Sequence, residues 1–309
     1  MVDSNEPYPM NMEFAPAPDI AGKILFHEPM SAHTSFKIGG PADIFAIPAD
    51  VQDLQIIMRW AKARSMPVMI IGAGTNLLVS DKGIRGIVIM FGGGFMSAEI
   101  RGRSVVAGCG VRLPALLRRA LGAGLSGLEG LAGVPGTVGG AICMNAGTSA
   151  GCVKDSLESV RVVDRNGLLS VVDARNLGLT YRGSTLSTSG FTVVEATFAL
   201  SSEETGGIAD IVESLIQRRK ATQPVGIHTA GSVFKNPHGE FAGRVLESAG
   251  AKGTQVGGAR VSGKHANFIE NTGTATAEDV RELIRKLQQL SKEKYGITLE
   301  PEIQMVGEW

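Results

Sequence analysis

A glycine-rich loop, IIGAGTNLLVS at residues 70–80, is the first segment whose composition suggests chemistry. Glycines let the backbone curl until successive N–H groups converge, and such a concave arrangement binds phosphate oxygens. The dinucleotide fingerprint GxGxxG would need a glycine at position 77, where leucine stands, so a nicotinamide-binding Rossmann site is disfavoured. A plain tight turn between strands is the alternative to an anion site. The candidate ligand-binding residues are Gly72, Ala73, Gly74, Thr75, Asn76 and Leu77.

A second glycine-rich loop, GLEGLAGVPGTVGGAICMNAG, covers residues 127–147. It has too few charges for a solvated surface loop and too many glycines for a core helix. Buried backbone amides need partners, and a polar ligand lying along the loop would supply them. Two separated loops of this kind predict a long cofactor, such as a dinucleotide. The candidate residues here are Gly133, Pro135, Gly136, Thr137, Gly139, Gly140, Asn145 and Gly147.

Composition excludes several classes of protein. The 309 residues carry 30 Lys+Arg against 30 Asp+Glu, which argues against a nucleic-acid binder or a polybasic membrane-surface protein. The three cysteines lack metal-ligand spacing, so we expect no metal site and a reducing compartment. Residues 1–20 lack the pattern of a secretory signal and are predicted to be a flexible tail. The uncharged stretch at 130–153 is too interrupted by Gly, Pro and polar residues to span a bilayer, so we expect a cytoplasmic protein without a membrane partner.

The pattern of apolar, glycine and proline residues predicts the strands and helices that could position the two loops. Short β-branched runs bounded by Gly or Pro recur up to residue 200 and predict strands, with helices at 50–65 and 114–123. Beyond residue 200 the pattern becomes helical, at 207–222, 243–249 and 276–295, and ITLEPEIQMVGEW predicts a final strand interrupted by Pro301. Helix starts are indicated by Asp50 and Thr276 as N-caps. The chain is therefore mixed α and β, with a domain boundary near residue 205.

An ordered set of motifs resembles the UDP-N-acetylenolpyruvoylglucosamine reductase family. The motifs are HTSFKIGGPADIFAIP at 33–48, the two glycine-rich loops, YRGS at 181–184, GSVFKNP at 231–237, the stretch 242–271 and LEPEI at 299–303. The resemblance implies an α+β protein: an FAD-binding domain of the vanillyl-alcohol-oxidase/PCMH type at 21–205, in two subdomains split near 98, and a C-terminal α+β substrate-binding domain at 206–309. It implies FAD in the two loops, NADPH as co-substrate, and reduction of an enolpyruvyl UDP-sugar to UDP-N-acetylmuramate for peptidoglycan.

The resemblance also implies the catalytic residues. Hydride addition to the enolpyruvyl group leaves negative charge that spreads into its carboxylate, and a proton must then be delivered. By motif, Arg182 polarises the carboxylate, Ser232 donates the proton and Glu302 lies opposite. Each has a structural alternative: a surface ion pair for Arg182, a turn residue for Ser232, and a solvated acidic pair with Glu300 for Glu302.

Substrate anchoring is implied at three further positions: Tyr181, Lys220 and Asn236. Lysine and asparagine suit a diphosphate, although Lys220 could instead act at the negative end of its helix. His265 is expected to be structural. Nothing in the sequence identifies a residue for covalent flavin attachment, so the FAD should be non-covalent, and a monomer is the default.

Departures from the family pattern qualify the resemblance. Residues 185–190 are too few for the tyrosine-bearing lid loop of one family branch, which predicts the branch without it. NAGTSAG replaces the usual NAGAYG, and Lys37 replaces a common arginine, which keeps the charge without the fork. Two rival functions stay open: another FAD-dependent oxidoreductase of the same fold, and a non-catalytic protein that binds flavin or a nucleotide sugar.

Overall fold

The computed structural model describes residues 17–202 and 205–309 of the chain. The first layer is a four-stranded sheet in the order β1-β2-β5-β3, in which β1 is antiparallel to β2 while β5 runs parallel to both β2 and β3. Strand β4 lies outside this sheet. The elements are β1 (Lys23–Pro29), β2 (Pro41–Ile47), α1 (Val51–Ala63), β3 (Val68–Ile71), β4 (Leu77–Val79) and β5 (Ile84–Met90).

The second layer is a five-stranded antiparallel sheet in the order β12-β11-β13-β7-β6. Its buried face shares one apolar core with α1 and the first sheet, including Leu54, Ile87, Val105 and Leu116. The elements are β6 (Ala98–Arg101), β7 (Ser104–Gly108), α2 (Leu113–Gly122), β8 (Leu125–Ser126), α3 (Val138–Cys143), β9 (Gly147–Thr148), β10 (Gly151–Cys152), β11 (Leu157–Val163), β12 (Leu169–Asp173), α4 (Leu186–Ser189), β13 (Thr192–Ala199) and β14 (Ser201–Ser202).

The third layer packs two helices on a three-stranded antiparallel sheet, β15-β16-β17, around a second core. That core also takes in Phe36, Ile38 and Leu78 from the N-terminal half of the chain. The elements of this layer are α6 (Ala242–Ser248), β15 (Gln255–Val256), β16 (Ala259–Val261), β17 (Ile269–Asn271) and α7 (Ala277–Tyr295). Helix α5 (Thr205–Thr222) precedes the layer and packs on the first core through Val212, and β18 (Gln304–Val306) follows it.

Local sequence signals explain where the helices begin. Asp50 accepts a hydrogen bond from the N–H of Asp53 at the start of α1, as predicted. Thr276 and Asp279 form a reciprocal capping box at the start of α7, and Gly296 ends that helix in the left-handed region. Asp81, from the loop after β4, accepts hydrogen bonds from two further first-turn N–H groups of α7. This contact ties the third layer to the first.

Two features differ from the sequence-based expectation. The second glycine-rich loop was expected to be too rich in glycine for a helix, yet Val138–Cys143 forms α3, with Thr137 as its N-cap. The predicted final strand is confined to β18, which does not join the third layer but pairs in parallel with β4. Pro301 forms an isolated bridge with Phe234 before that strand begins. The end of the chain thus returns to the first glycine-rich loop, which is continuous with β4.

Candidate active site

The first glycine-rich loop joins β3 to β4 and is shaped by the segment before it. Gly74 has φ +63°, and a Cβ atom there would overlap the carbonyl oxygen of His33. The carbonyl of Gly74 accepts hydrogen bonds from Ser35, from its N–H at 3.1 Å and its Oγ at 3.2 Å. Within residues 17–202 and 205–309, the N–H groups of Ala73, Gly74 and Thr75 donate no main-chain or side-chain hydrogen bond. This run of open amides fits a phosphate group.

The second loop faces the first across a narrow gap. A Cβ atom on Gly72 would lie 2.6 Å from Thr137 Oγ1, and Thr75 Oγ1 donates to the carbonyl of Pro135 at 3.4 Å. Gly136 and Gly140 would bring Cβ atoms within 3.5 Å of Thr75 Oγ1 and Thr137 Oγ1 respectively. The two loops therefore line one continuous cradle, and side chains at these glycines would narrow it. An extended dinucleotide such as FAD fits such a cradle.

Other residues of the two loops form hydrogen bonds with other parts of the chain. The first amides of α3 do not need a ligand as partner, contrary to the expectation from the sequence, because the N–H of Gly139 donates to Cys109 O at 2.8 Å and that of Val138 to Val111 O at 2.9 Å. Asn145 also has both ends of its amide occupied: Nδ2 donates to Thr180 O, and Oδ1 accepts from Lys154 N, each at 2.9 Å.

The end of the first loop joins the C-terminal part of the chain. Asn76 donates from Nδ2 to Glu302 O at 3.1 Å and accepts from Gln304 N through its own carbonyl at 2.9 Å. Leu77 is buried in the apolar cluster of the first sheet. At these two positions the structure shows contacts within the protein itself.

Arg182 and Glu302, which are 120 positions apart in sequence, meet as an ion pair. Arg182 Nε lies 2.7 Å from Glu302 Oε1, and Arg182 Nη2 donates to Gly147 O at 3.3 Å. The side chains are only 23% and 15% exposed. Arg182 has φ +56°, a left-handed conformation that costs a non-glycine residue roughly 1–3 kcal/mol and persists only where surrounding contacts hold it. The pair is therefore a partly buried, positioned contact.

Ser232 is brought to the same place by backbone pairing. The residue after it, Val233, accepts a hydrogen bond through its carbonyl from Glu302 N at 2.7 Å. Gly231, immediately before Ser232, has φ +80°, which suits glycine at this turn. The three predicted catalytic residues thus come together from three separate segments of the chain.

The electrostatic environment distinguishes the two glutamates of LEPEI. Burial raises the pKa of Glu302 above its usual range, while the charge and hydrogen bond of Arg182 and the charge of Lys235 oppose the shift. Glu300 is 69% exposed and pairs with Lys235. The alternative of a solvated acidic pair therefore does not hold for Glu302, whose carboxyl is partly buried and paired with Arg182.

A cleft of about 360 Å³ lies beside these residues. Tyr181 lines it, as does Asn236, whose Oδ1 also accepts from Ala242 N at 3.1 Å. The remaining lining residues are Lys235, Pro237, His238, Thr298 and Glu300.

The structure does not place Lys220 in this cleft. Its side chain is exposed, and its carbonyl accepts from Lys264 Nζ. The neighbouring Arg219, which sequence reasoning did not select, is the residue of that segment that packs on the second loop. His265 accepts a hydrogen bond from Asn267 N and packs edge-on against Phe268, as a structural residue would.

The described residues contain no cluster of three or more His, Cys, Asp or Glu side chains suited to a metal ion. Across residues 17–202 and 205–309, no helix is both long and apolar enough to cross a bilayer.

Fold and site together define an FAD-dependent oxidoreductase. Residues 42–173 match the FAD binding domain family, and residues 223–306 match the family described as UDP-N-acetylenolpyruvoylglucosamine reductase, C-terminal domain. The predicted fold is confirmed: an FAD-binding domain of the vanillyl-alcohol-oxidase/PCMH type is followed by this C-terminal domain.

Similar proteins identify the family more narrowly. The chain is 44% identical over 289 residues to the UDP-N-acetylenolpyruvoylglucosamine reductase of Desulforamulus reducens, covering 94% of this chain and 95% of that one. It is 45% identical to the enzyme of the same name from Moorella thermoacetica, over 93% and 94% of the two chains. The crystal structure of the Thermus caldophilus enzyme superposes with a TM-score of 0.81 at 36% identity, over 93% of this chain and 99% of that one. The chain belongs to the UDP-N-acetylenolpyruvoylglucosamine reductase family.

Proposed function

We propose that the protein reduces UDP-N-acetyl-3-O-(1-carboxyvinyl)-glucosamine to UDP-N-acetylmuramate, with NADPH as electron donor, in the synthesis of peptidoglycan precursors. The observation that carries the proposal is the partly buried Arg182–Glu302 pair, which the backbone pairing of Glu302 with Val233 brings close to Ser232. Tyr181, the residue before Arg182, lines the neighbouring cleft together with Asn236. FAD, when bound, supplies the hydride. Residues 72–75 of the first loop and 133–140 of the second would hold it.

Charge stabilisation falls to Arg182. Hydride addition to the methylene carbon of the enolpyruvyl group places negative charge on the adjacent carbon and its carboxylate. Glu302 and Gly147 occupy Nε and Nη2 of Arg182, and the fork is thereby oriented. Nη1 has no acceptor within the described residues, so it is open to a substrate carboxylate.

Proton delivery falls to Ser232. The proton leaves its hydroxyl for the carbon that carries the developing charge, which completes the addition of one hydride and one proton across the double bond. A free serine hydroxyl is a weak acid, so the developing enolate and nearby groups such as Lys235 assist the transfer. Glu302 lies opposite and holds Arg182 in place. We further propose a cytoplasmic monomer, with Tyr181 and Asn236 contacting the UDP-sugar from the cleft that they line. A contact from Lys220 stays a prediction of the sequence, because its exposed side chain does not line this cleft.

An anaerobic stopped-flow experiment tests the proposal by following flavin absorbance after NADPH and then after the enolpyruvyl UDP-sugar. We expect reduction by NADPH and rapid reoxidation by the sugar in the wild type and in Ser187→Ala, which removes an exposed hydroxyl. In Ser232→Ala we expect reduction to persist and reoxidation to fail. Flavin that is reduced but never reoxidised by the sugar in the wild type would favour another oxidoreductase of this fold. A protein that binds FAD but accepts no electrons from NADPH would favour a binding function.

A further inference from the structure

Arg219 lies in the last turn of α5 and extends over the second glycine-rich loop. A Cβ atom on Gly133 would lie 2.8 Å from Arg219 Cδ and 3.4 Å from its Nε. Gly133 itself has φ +70°, so both its conformation and its missing side chain leave room for the arginine. The stem and Nε of Arg219 therefore lie against Gly133, in the second of the two loops that form the cradle.

The charge of Arg219 is not balanced by the protein. Across residues 17–202 and 205–309, no carboxylate pairs with its guanidinium, and its side chain donates no hydrogen bond. Its surroundings disfavour the cation, because burial and the positive charge of Arg182 both lower the pKa of Arg219. Of these two neighbouring arginines, Arg182 has a carboxylate partner in Glu302.

Two cations drawn together in a partly buried place repel each other, and loss of water around them adds to the cost. Arg219 is half-buried, whereas its neighbours in sequence, Arg218 and Lys220, are exposed. Solvent therefore does not stabilise the charge of Arg219 as it does that of a surface arginine. A bound anion would remove the imbalance. The planar guanidinium suits such an anion because it donates two parallel hydrogen bonds.

We infer that Arg219 is a cofactor-binding residue that contacts an anionic group of FAD in the cradle beside Gly133. The anion is either the diphosphate of FAD or the negative charge that the isoalloxazine carries when reduced. The inference rests on the flavin site and is independent of the identity of the sugar substrate. It adds a cofactor-binding cation, Arg219, one residue before Lys220, which the sequence predicts as a substrate ligand.

The test uses the full chain and two measurements without sugar: the Kd of FAD for the apoprotein, by quenching of flavin fluorescence, and the midpoint potential of bound FAD. Arg219→Gln removes the charge, and Arg219→Met also keeps the apolar stem over Gly133, which preserves a folded test protein if Gln does not. Arg219→Lys restores a point charge without the fork. Arg218→Gln is the matched control on the exposed side of α5.

We expect Arg219→Gln and Arg219→Met either to raise the Kd of FAD at least tenfold or to lower the midpoint potential by about 30 mV or more. Arg219→Lys should recover part of that change, and Arg218→Gln should change neither quantity. A weaker Kd at unchanged potential assigns the diphosphate. Tenfold weaker binding of reduced relative to oxidised FAD lowers the potential by about 30 mV for a two-electron couple and assigns the isoalloxazine. Wild-type values of both quantities in the Gln and Met variants would overturn the inference, even if KM for the sugar rose. Loss of sugar turnover in the wild type would instead count against the proposed function.

Discussion

The Arg182–Glu302 pair supports a prediction that separates the two half-reactions. Arg182→Lys keeps the positive charge but puts a single nitrogen in place of the two that contact Glu302 Oε1 and Gly147 O. The substitution should therefore cost one charge-assisted hydrogen bond, worth about 1.5–3 kcal/mol. If that loss falls on the transition state, reoxidation of the flavin by the enolpyruvyl sugar slows roughly 10- to 100-fold.

The assay is anaerobic stopped flow on Arg182→Lys, Glu302→Gln and the double variant, with exposed Arg218→Lys as the matched control. Because Arg182 and Glu302 contact each other at 2.7 Å, the two single losses should overlap, so that the double variant is little slower than the slower single variant. Reduction by NADPH should keep its wild-type rate in all four proteins. Reoxidation at the wild-type rate in Arg182→Lys would refute the argument. So would losses that simply add, because the pair would then not act as a unit.

Three further predictions follow from the same contacts. Burial raises the pKa of Glu302, and Arg182 opposes that rise. Arg182→Met should therefore raise the pKa of Glu302 further and move the acidic limb of the pH–reoxidation profile to higher pH. An unchanged limb, or one moved to lower pH, would contradict this. Gly72→Ala would place a Cβ atom 2.6 Å from the facing threonine hydroxyl and should weaken FAD binding about tenfold in a fluorescence titration. Gly122→Ala, with open space around it, should bind FAD normally, and equal affinities in the two variants would sink the explanation. Asp81→Ala removes the carboxylate that caps α7 and should lower the free energy of unfolding by about 1–2 kcal/mol in urea, whereas an unchanged midpoint would show that the cap contributes nothing.

Much of what the sequence determined by itself is local. The start of α7 follows from Thr276 and Asp279, three positions apart, because a capping box needs only one turn of helix. The family motifs, taken in order, also identified the class of enzyme and named Arg182, Ser232 and Glu302, although neither periodicity nor composition would have selected Ser232.

The contacts between segments far apart in the chain could be seen only in the tertiary structure. The Arg182–Glu302 contact joins residues 120 positions apart, and β18 pairs with a strand more than 200 positions earlier, without any local signal that announces the partner. Helix α3 forms despite its glycines because carbonyls from a neighbouring segment accept its first amides, a tertiary effect that local propensity does not contain. The contact of Arg219 with Gly133, with Lys220 exposed, depends on how α5 packs on the second loop. The sequence specifies which side chains are available, whereas long-range packing decides which of them come into contact. The free energy of a contact depends on both partners and on the surrounding structure that holds them in place.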